Sequence, residues 1–209
     1  MGFVKKWIGC ILSFVAGVLA LSLSACSGMI LKGSIDLTSL GMGSESVNEM
    51  TKAFKVITDS SLYSDAKSFN LGTEFMTMKV FAIITLVIAV LLIIYSIFLL
   101  LKNLNVIKSN SKIFDIFGWS LAGLFLISTI ALLVSSNVFA NGVADFIVKT
   151  TQEELQALAQ MPGVTPEMIA GIKLDFSGKV GLYQPFMLAT SIVLALVTAV
   201  FAFIKRKDA

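Results

Sequence analysis

Between Lys79 and Lys102 the chain runs through residues 80–101 without a charge, and only Thr85, Tyr95 and Ser96 interrupt its apolar side chains with polar ones. As a helix this stretch reaches about 33 Å at ~1.5 Å per residue, against a bilayer hydrocarbon core of about 30 Å. The flanking lysines can extend their stems along apolar surface and hold their ammonium groups at opposite interfaces. Residues 79–102 therefore read as a transmembrane helix.

Three more stretches are apolar over a comparable length, at residues 7–31, 113–136 (charge-free from Ile116) and 185–204. Composition agrees with this reading. The chain is 56% hydrophobic and 14% charged, whereas soluble domains carry about 25% charged residues. The expected organisation is a basic head at residues 1–6, four spans, polar segments at 32–78 and 137–184, a short link at 103–112 and a basic tail at 205–209. The expected fold class is an all-α membrane protein, a four-helix transmembrane bundle with a small helical extracytoplasmic cap.

Charge sets the threading. Lys5 and Lys6 precede the first span, Lys102 ends the second span with Lys108 and Lys112 in the link after it, and Lys205, Arg206 and Lys207 follow the last span. Residues 32–78 hold four lysines against six acids, and residues 137–184 three against five. Loops rich in Lys and Arg stay in the cytoplasm. Both termini and the link are thus expected inside, and both long polar segments outside.

The first span has two readings. Leu23-Ser24-Ala25-Cys26 matches the processing pattern of a lipoprotein signal, with Cys26 as the lipidated residue. Apolar character resumes at Met29-Ile30-Leu31, however, where a lipoprotein usually has a polar tether, and residues 8–23 already exceed the usual 7–15 of a signal's apolar region. An uncleaved helix over 7–31 is the favoured expectation. Its small residues Ala16, Ala20, Ser24 and Gly28 recur every fourth position, beside Ser13 and Gly17. Such a row lets another helix approach closely, which is how helices associate in lipid. Gly118 and Ala122 in the third span, and Ser191, Ala195 and Ala199 in the fourth, are the corresponding packing candidates.

In the polar segments, Ser46-Val47-Asn48-Glu49 fits a capping box, and Val47, Met50, Phe54 and Ile57 then fall at helical spacing, predicting an amphipathic helix. Thr151-Gln152-Glu153-Glu154 fits a second box, stopped at Pro162-Gly163. Thr165-Pro166 restarts a short helix with proline in its first turn, and a glycine-containing stretch follows from Phe176 to Tyr183.

The sequence is poorly equipped for catalysis. It contains no histidine, the usual general base near neutral pH. Its two cysteines, Cys10 and Cys26, would sit about 24 Å apart on a helix, beyond disulfide reach. It has no zinc spacing, phosphate-binding glycine loop or nucleophile elbow. No enzyme activity, cofactor or metal is expected. Asp115, at the start of the third span, reads as an interfacial carboxylate near a helix N-terminus.

Met161-Pro162-Gly163-Val164-Thr165-Pro166 resembles the hairpin of helix-hairpin-helix DNA-binding modules. Thr165 replaces that motif's second glycine, and the surrounding segment is net negative, contrary to phosphate neutralisation; no nucleic-acid partner is expected. Four spans with both ends inside resemble the layout of claudins and tetraspanins, without the disulfides that staple the external loops of those families. The expected role is a non-enzymatic scaffold or accessory subunit in a bacterial plasma membrane, with the bilayer and a membrane-protein partner or second copy as its contacts. The alternatives are an oligomeric channel or transport component, and a processed lipoprotein with three spans.

Overall fold

A computed structural model describes residues 2–24, 27–41, 43–107, 112–181 and 183–207. The described residues are mostly helical, with a small sheet. In order it forms α1 (Gly2–Ser24), β1 (Ser27–Asp36), a single 3-10 turn (Thr38–Leu40), β2 (Ser44–Lys52), α2 (Ala53–Thr58), α3 (Ser61–Ser68), α4 (Gly72–Asn103), α5 (Lys112–Leu158), α6 (Pro166–Ala170), β3 (Lys173–Val180) and α7 (Tyr183–Lys207).

Two helices, α4 and residues 116–158 of α5, are long and apolar enough to cross a membrane. With 32 residues α4 reaches about 48 Å, and with 47 residues α5 reaches about 70 Å. Shorter apolar helices occupy Trp7–Ser22 in α1 and Pro185–Thr198 in α7. Neighbouring pairs pack side by side: α1 on α4, α4 on α5, α5 on α7, and α7 on α1. Their shared interior includes Ala16, Ala20, Ala89, Leu92, Phe125 and Leu194, all buried.

Two asparagines end helices where glycine is more usual. Asn70 and Asn105 both have φ 60°, a left-handed conformation that asparagine tolerates better than other side chains. After α4, Asn105 N–H donates to the Lys102 carbonyl and Val106 N–H to that of Leu101. After α3, Asn70 N–H donates to Lys67 and Leu71 N–H to Ala66. Both patterns satisfy carbonyls that a helix C-terminus would otherwise leave bare. The second turns the chain directly from α3 into α4.

The polar segments differ most from expectation, because they are not purely helical. β1 is the centre of an antiparallel sheet of order β2-β1-β3. Residues 46–51, expected to open a helix, lie in β2, paired from Asp36↔Ser44 to Ser27↔Lys52. Four apolar residues at helical spacing weigh less than a ladder running the length of β1. The helix begins only at Ala53, and places Val56 in the core. Phe176, which opens the glycine-containing stretch to which no element was assigned, lies in β3 opposite Gly33, where its ring covers the space a Cβ would occupy. An aromatic side chain across from a strand glycine restores the contact that the glycine lacks.

The first span is also shorter than expected. α1 ends at Ser24, and Gly28 lies in β1, so the small-residue row does not continue down one helix to Gly28. Two serines, Ser22 and Ser24, lie in its last turn, and Ser22 Oγ bonds back to the carbonyls of Val18 and Leu19. Such back-bonding slightly weakens a helix.

The third span, in contrast, overshoots. α5 continues through residues 137–158, so Thr151 lies inside the helix and opens nothing. Polarity ends the apolar run near Asn137, but no proline follows until Pro162, and a helix stops at a backbone obstacle rather than at a change of solvent. Thr165 then caps α6, accepting from Met168 N–H at 3.4 Å, with Pro166 in the first turn.

The hairpin between β1 and β2 is pinned by Asp36, whose carboxylate accepts from Thr38 Oγ1 at 2.6 Å and Thr38 N–H at 3.1 Å. Those bonds, the hydroxyl first, hold its pKa below the ordinary 3.8, with Lys173 adding a smaller attraction. A depressed carboxylate contributes stability above its unfolded pKa and loses it as pH falls through the folded value. Protection of the amides in the β1–β2 turn, taken relative to their intrinsic exchange rate at each pH, is therefore expected to fall below about pH 4. Asp36→Ala should exchange faster at neutral pH and show less acid dependence.

Candidate functional site

Each of the four long helices turns apolar side chains outwards. Ile11, Phe14 and Val18 of α1, Val87 and Ile94 of α4, Ile116 and Leu124 of α5, and Phe186 and Leu196 of α7 are all exposed. Among the described residues, eight hydroxyl side chains lie in the interior: Ser13, Thr85, Ser96, Ser128, Thr129, Ser135, Ser136 and Ser191 are buried. Several of them donate to carbonyls of their own helix. Thr85 bonds Phe81 at 2.8 Å, Ser96 bonds Ile93 at 2.9 Å, and Ser128 bonds Phe125 at 3.0 Å. Thr129 Oγ1 and Ser191 Oγ meet at 3.0 Å across the α5–α7 seam.

Of the most apolar 18-residue stretch, only 28% is buried in α4 and 39% in α5. A core helix of a soluble protein hides most of its apolar surface, so composition and exposure together describe a surface made for a non-aqueous medium.

The expected packing residues are distributed unevenly. Ala16 and Ala20 are fully buried on the face of α1 that meets α4. Gly17 beside them has the Ile93 side chain and the Ala89 carbonyl where a Cβ would go, at 2.6 and 2.8 Å. Gly118 lies under the Tyr95 ring, whose hydroxyl donates to the Phe114 carbonyl at 3.3 Å. Ala122 and Ser191 are buried, and Ala195 is half-buried. Ser24 ends α1 and Ala199 belongs to α7, but their side chains, like all of Cys26, lie outside the described residues.

A concave feature of this surface is not revealed by the small-residue pattern. A groove of about 720 Å³ runs between α4 and α5, lined on one side by Thr73, Glu74, Thr77 and Phe81. Ile127, Ile130, Ala131, Val134, Ser135 and Val138 form the other side. The linings follow helical geometry: Glu74, Thr77 and Phe81 are spaced three and four apart, as are Ile127, Ile130, Val134 and Val138. Two of the groove's hydroxyls donate to their own helices, Thr77 to the Thr73 carbonyl at 2.9 Å and Ser135 to that of Leu132 at 3.1 Å.

Glu74 differs from its neighbours in the groove. Its Oε2 is buried and has no hydrogen-bond partner among the described residues. It sits in the first turn of α4, where the helix dipole favours a negative charge. Its spacing from Thr77 and Phe81 was the available sequence signal. Above the groove, Phe75 meets Phe139 edge-on at 5.4 Å and Tyr63 at 6.1 Å, while Phe69 stacks on Phe146 at 4.6 Å. These rings join α3, α4 and α5 and close the end of the helical layer.

Among the described residues no group of three or more His, Cys, Asp or Glu side chains is placed to hold a metal ion. Comparison with known proteins finds no matching family model, no matching curated protein and no matching solved structure.

Proposed function

We propose that the chain is a multi-pass integral protein of the plasma membrane that acts through contacts, as a non-enzymatic scaffold or accessory subunit. In this reading α1, α4, α5 and α7 cross the bilayer as a four-helix bundle. Both termini and the lysine-rich link are cytoplasmic, and the sheet with α2, α3, α6 and the upper part of α5 forms the external cap. The observation that carries it is the outer surface: large apolar side chains are exposed along all four helices, around an apolar interior that also encloses several hydroxyls. Water disfavours so extensive an exposed apolar surface, and lipid does not.

A contact role rather than transport is supported by the fate of those hydroxyls. They bond to carbonyls of their own helices, as Ser and Thr do when they pack rather than line a pore. No charged side chain interrupts residues 80–101 or 116–136, where coupled transport usually needs one. Retention of α1 is favoured over lipoprotein processing by its close packing on α4 at Gly17, since cleavage before Cys26 would remove α1 and uncover that face of α4.

The experiment has two stages. The full-length chain should stay with membranes through an alkaline carbonate wash, and release into the wash would sink the membrane reading. Purification in mild detergent should then bring a protein partner or a second copy in fixed stoichiometry. A monomer without partners that permeates liposomes by itself would replace the scaffold with a channel.

A further inference from the structure

The groove between α4 and α5 combines a carboxylate at one end with an apolar trough below it, and that division matches one class of molecule. Glu74 lies six residues before Val80, where the charge-free run begins, hence about 9 Å above it along the helix. Headgroups occupy roughly 5–8 Å beyond the hydrocarbon on each side of a bilayer, so the carboxylate sits at the outer edge of the headgroup layer. From Val138 to Ile127 the trough extends a further 16 Å or so along α5, within the depth of one leaflet.

We propose that this groove is a binding site for a phospholipid with a primary-ammonium headgroup, phosphatidylethanolamine being the representative. The inference rests on the membrane reading above but not on the scaffold role. Charge complementarity selects the occupant at two points. The buried Oε2 of Glu74 has no partner among the described residues, and an ammonium supplies up to three N–H donors. A charge-assisted bond of this kind is among the stronger hydrogen bonds. The start of α4 presents N–H groups that an α-helix cannot satisfy internally, and the positive end of its dipole suits the phosphate of the same lipid. A quaternary choline has no N–H to give Glu74, and an anionic headgroup without an ammonium leaves the carboxylate facing like charge. One acyl chain would lie along Phe81, Ile130 and Val134, with Ala131 as the low point of the floor.

The test uses the full-length protein, delipidated in detergent and titrated with lipids of identical acyl chains while bound lipid is counted by native mass spectrometry. Phosphatidylethanolamine is expected to be retained about tenfold better than phosphatidylcholine or phosphatidylglycerol, the scale of one charged hydrogen bond. Glu74→Gln should bring the three lipids close to parity. Ala131→Phe, which fills the trough and leaves the carboxylate, should lower retention of all three. Equal retention of the three lipids by the unaltered protein overturns the proposal, and so does a preference that survives Glu74→Gln. Retention of a single-chain alkylammonium as tight as that of the lipid also overturns it, because the site would then read the amine alone. A chain that resists carbonate yet shows no ethanolamine preference loses only this site; one that is washed off loses the membrane reading itself.

Discussion

Replacing Gly178 with valine will detach the sheet from α5. Gly178 is buried in β3, and a Cβ there would overlap the Ala140 carbonyl and crowd the Asn141 nitrogen, both backbone atoms of α5. A backbone cannot rotate aside as a side chain can, so the strand must move away from the helix. Because β1 pairs with both β3 and β2, displacement of β3 loosens the whole sheet. Overpacking of this kind costs about 1–3 kcal/mol and sometimes more, and valine adds two methyls to the clash. The measurement is limited proteolysis of detergent-solubilised protein, with cleavage expected within residues 159–182 at protease levels that leave the unaltered chain whole. Gly123→Ala is the control. A Cβ at Gly123 meets nothing within 4 Å, and alanine in a helix interior is favoured over glycine by about 0.5–1 kcal/mol. If Gly178→Val resists protease as well as Gly123→Ala does, the docking of β3 on α5 is wrong.

That prediction draws on a part of the fold the sequence barely signals. The long apolar runs are legible because a charge-free stretch of bilayer length is a strong pattern, and α4 contains the whole of residues 79–102. The pattern reports a medium, however, and says little about where a helix ends. Residues 72–78 and 137–158 are polar yet continue α4 and α5, because backbone hydrogen bonding continues until something such as Pro162 interrupts it. The strands are harder still to read. Ser27–Asp36 and Lys173–Val180 are 137 residues apart at their nearest ends, and nothing local in either names the other as its partner. Gly33 and Phe176 are explained only once the register sets them opposite each other. The same applies to the groove. Glu74 belongs to a readable helical stripe, but that its Oε2 is buried without a partner among the described residues emerges only once α4 and α5 are packed together. Small-residue spacing carried more information: Ala16, Ala20, Ala122 and Ser191 are buried between helices, while Gly28 passes into a strand.

The burial of α1 leads to the second large effect. Gly17→Leu is expected to separate α1 from α4. The Ile93 Cγ1 and the Ala89 carbonyl already lie 2.6 and 2.8 Å from the position of a Cβ, and leucine extends three further carbons into Ala89, itself fully buried. Between helices in lipid, association depends on close packing rather than on escape from water, so losing the close approach removes much of what holds the pair together. Cys10 provides the readout. Its thiol is buried one helical stretch below Gly17, with Sγ donating to the Ser96 carbonyl at 3.2 Å. In a Cys26→Ser background, Cys10 should react slowly with a maleimide in detergent, and Gly17→Leu should raise the rate severalfold, since an opened seam exposes the sulfur. Ile93→Ala in the same chain should not restore protection, because the Ala89 carbonyl remains in the way. Gly9→Ala, where a Cβ meets nothing within 4 Å, should leave the rate unchanged. Slow labelling in Gly17→Leu would mean that α1 does not lie against α4 at Ala89. The case for α1 as a retained fourth helix, rather than a signal removed before Cys26, would then lose its packing support.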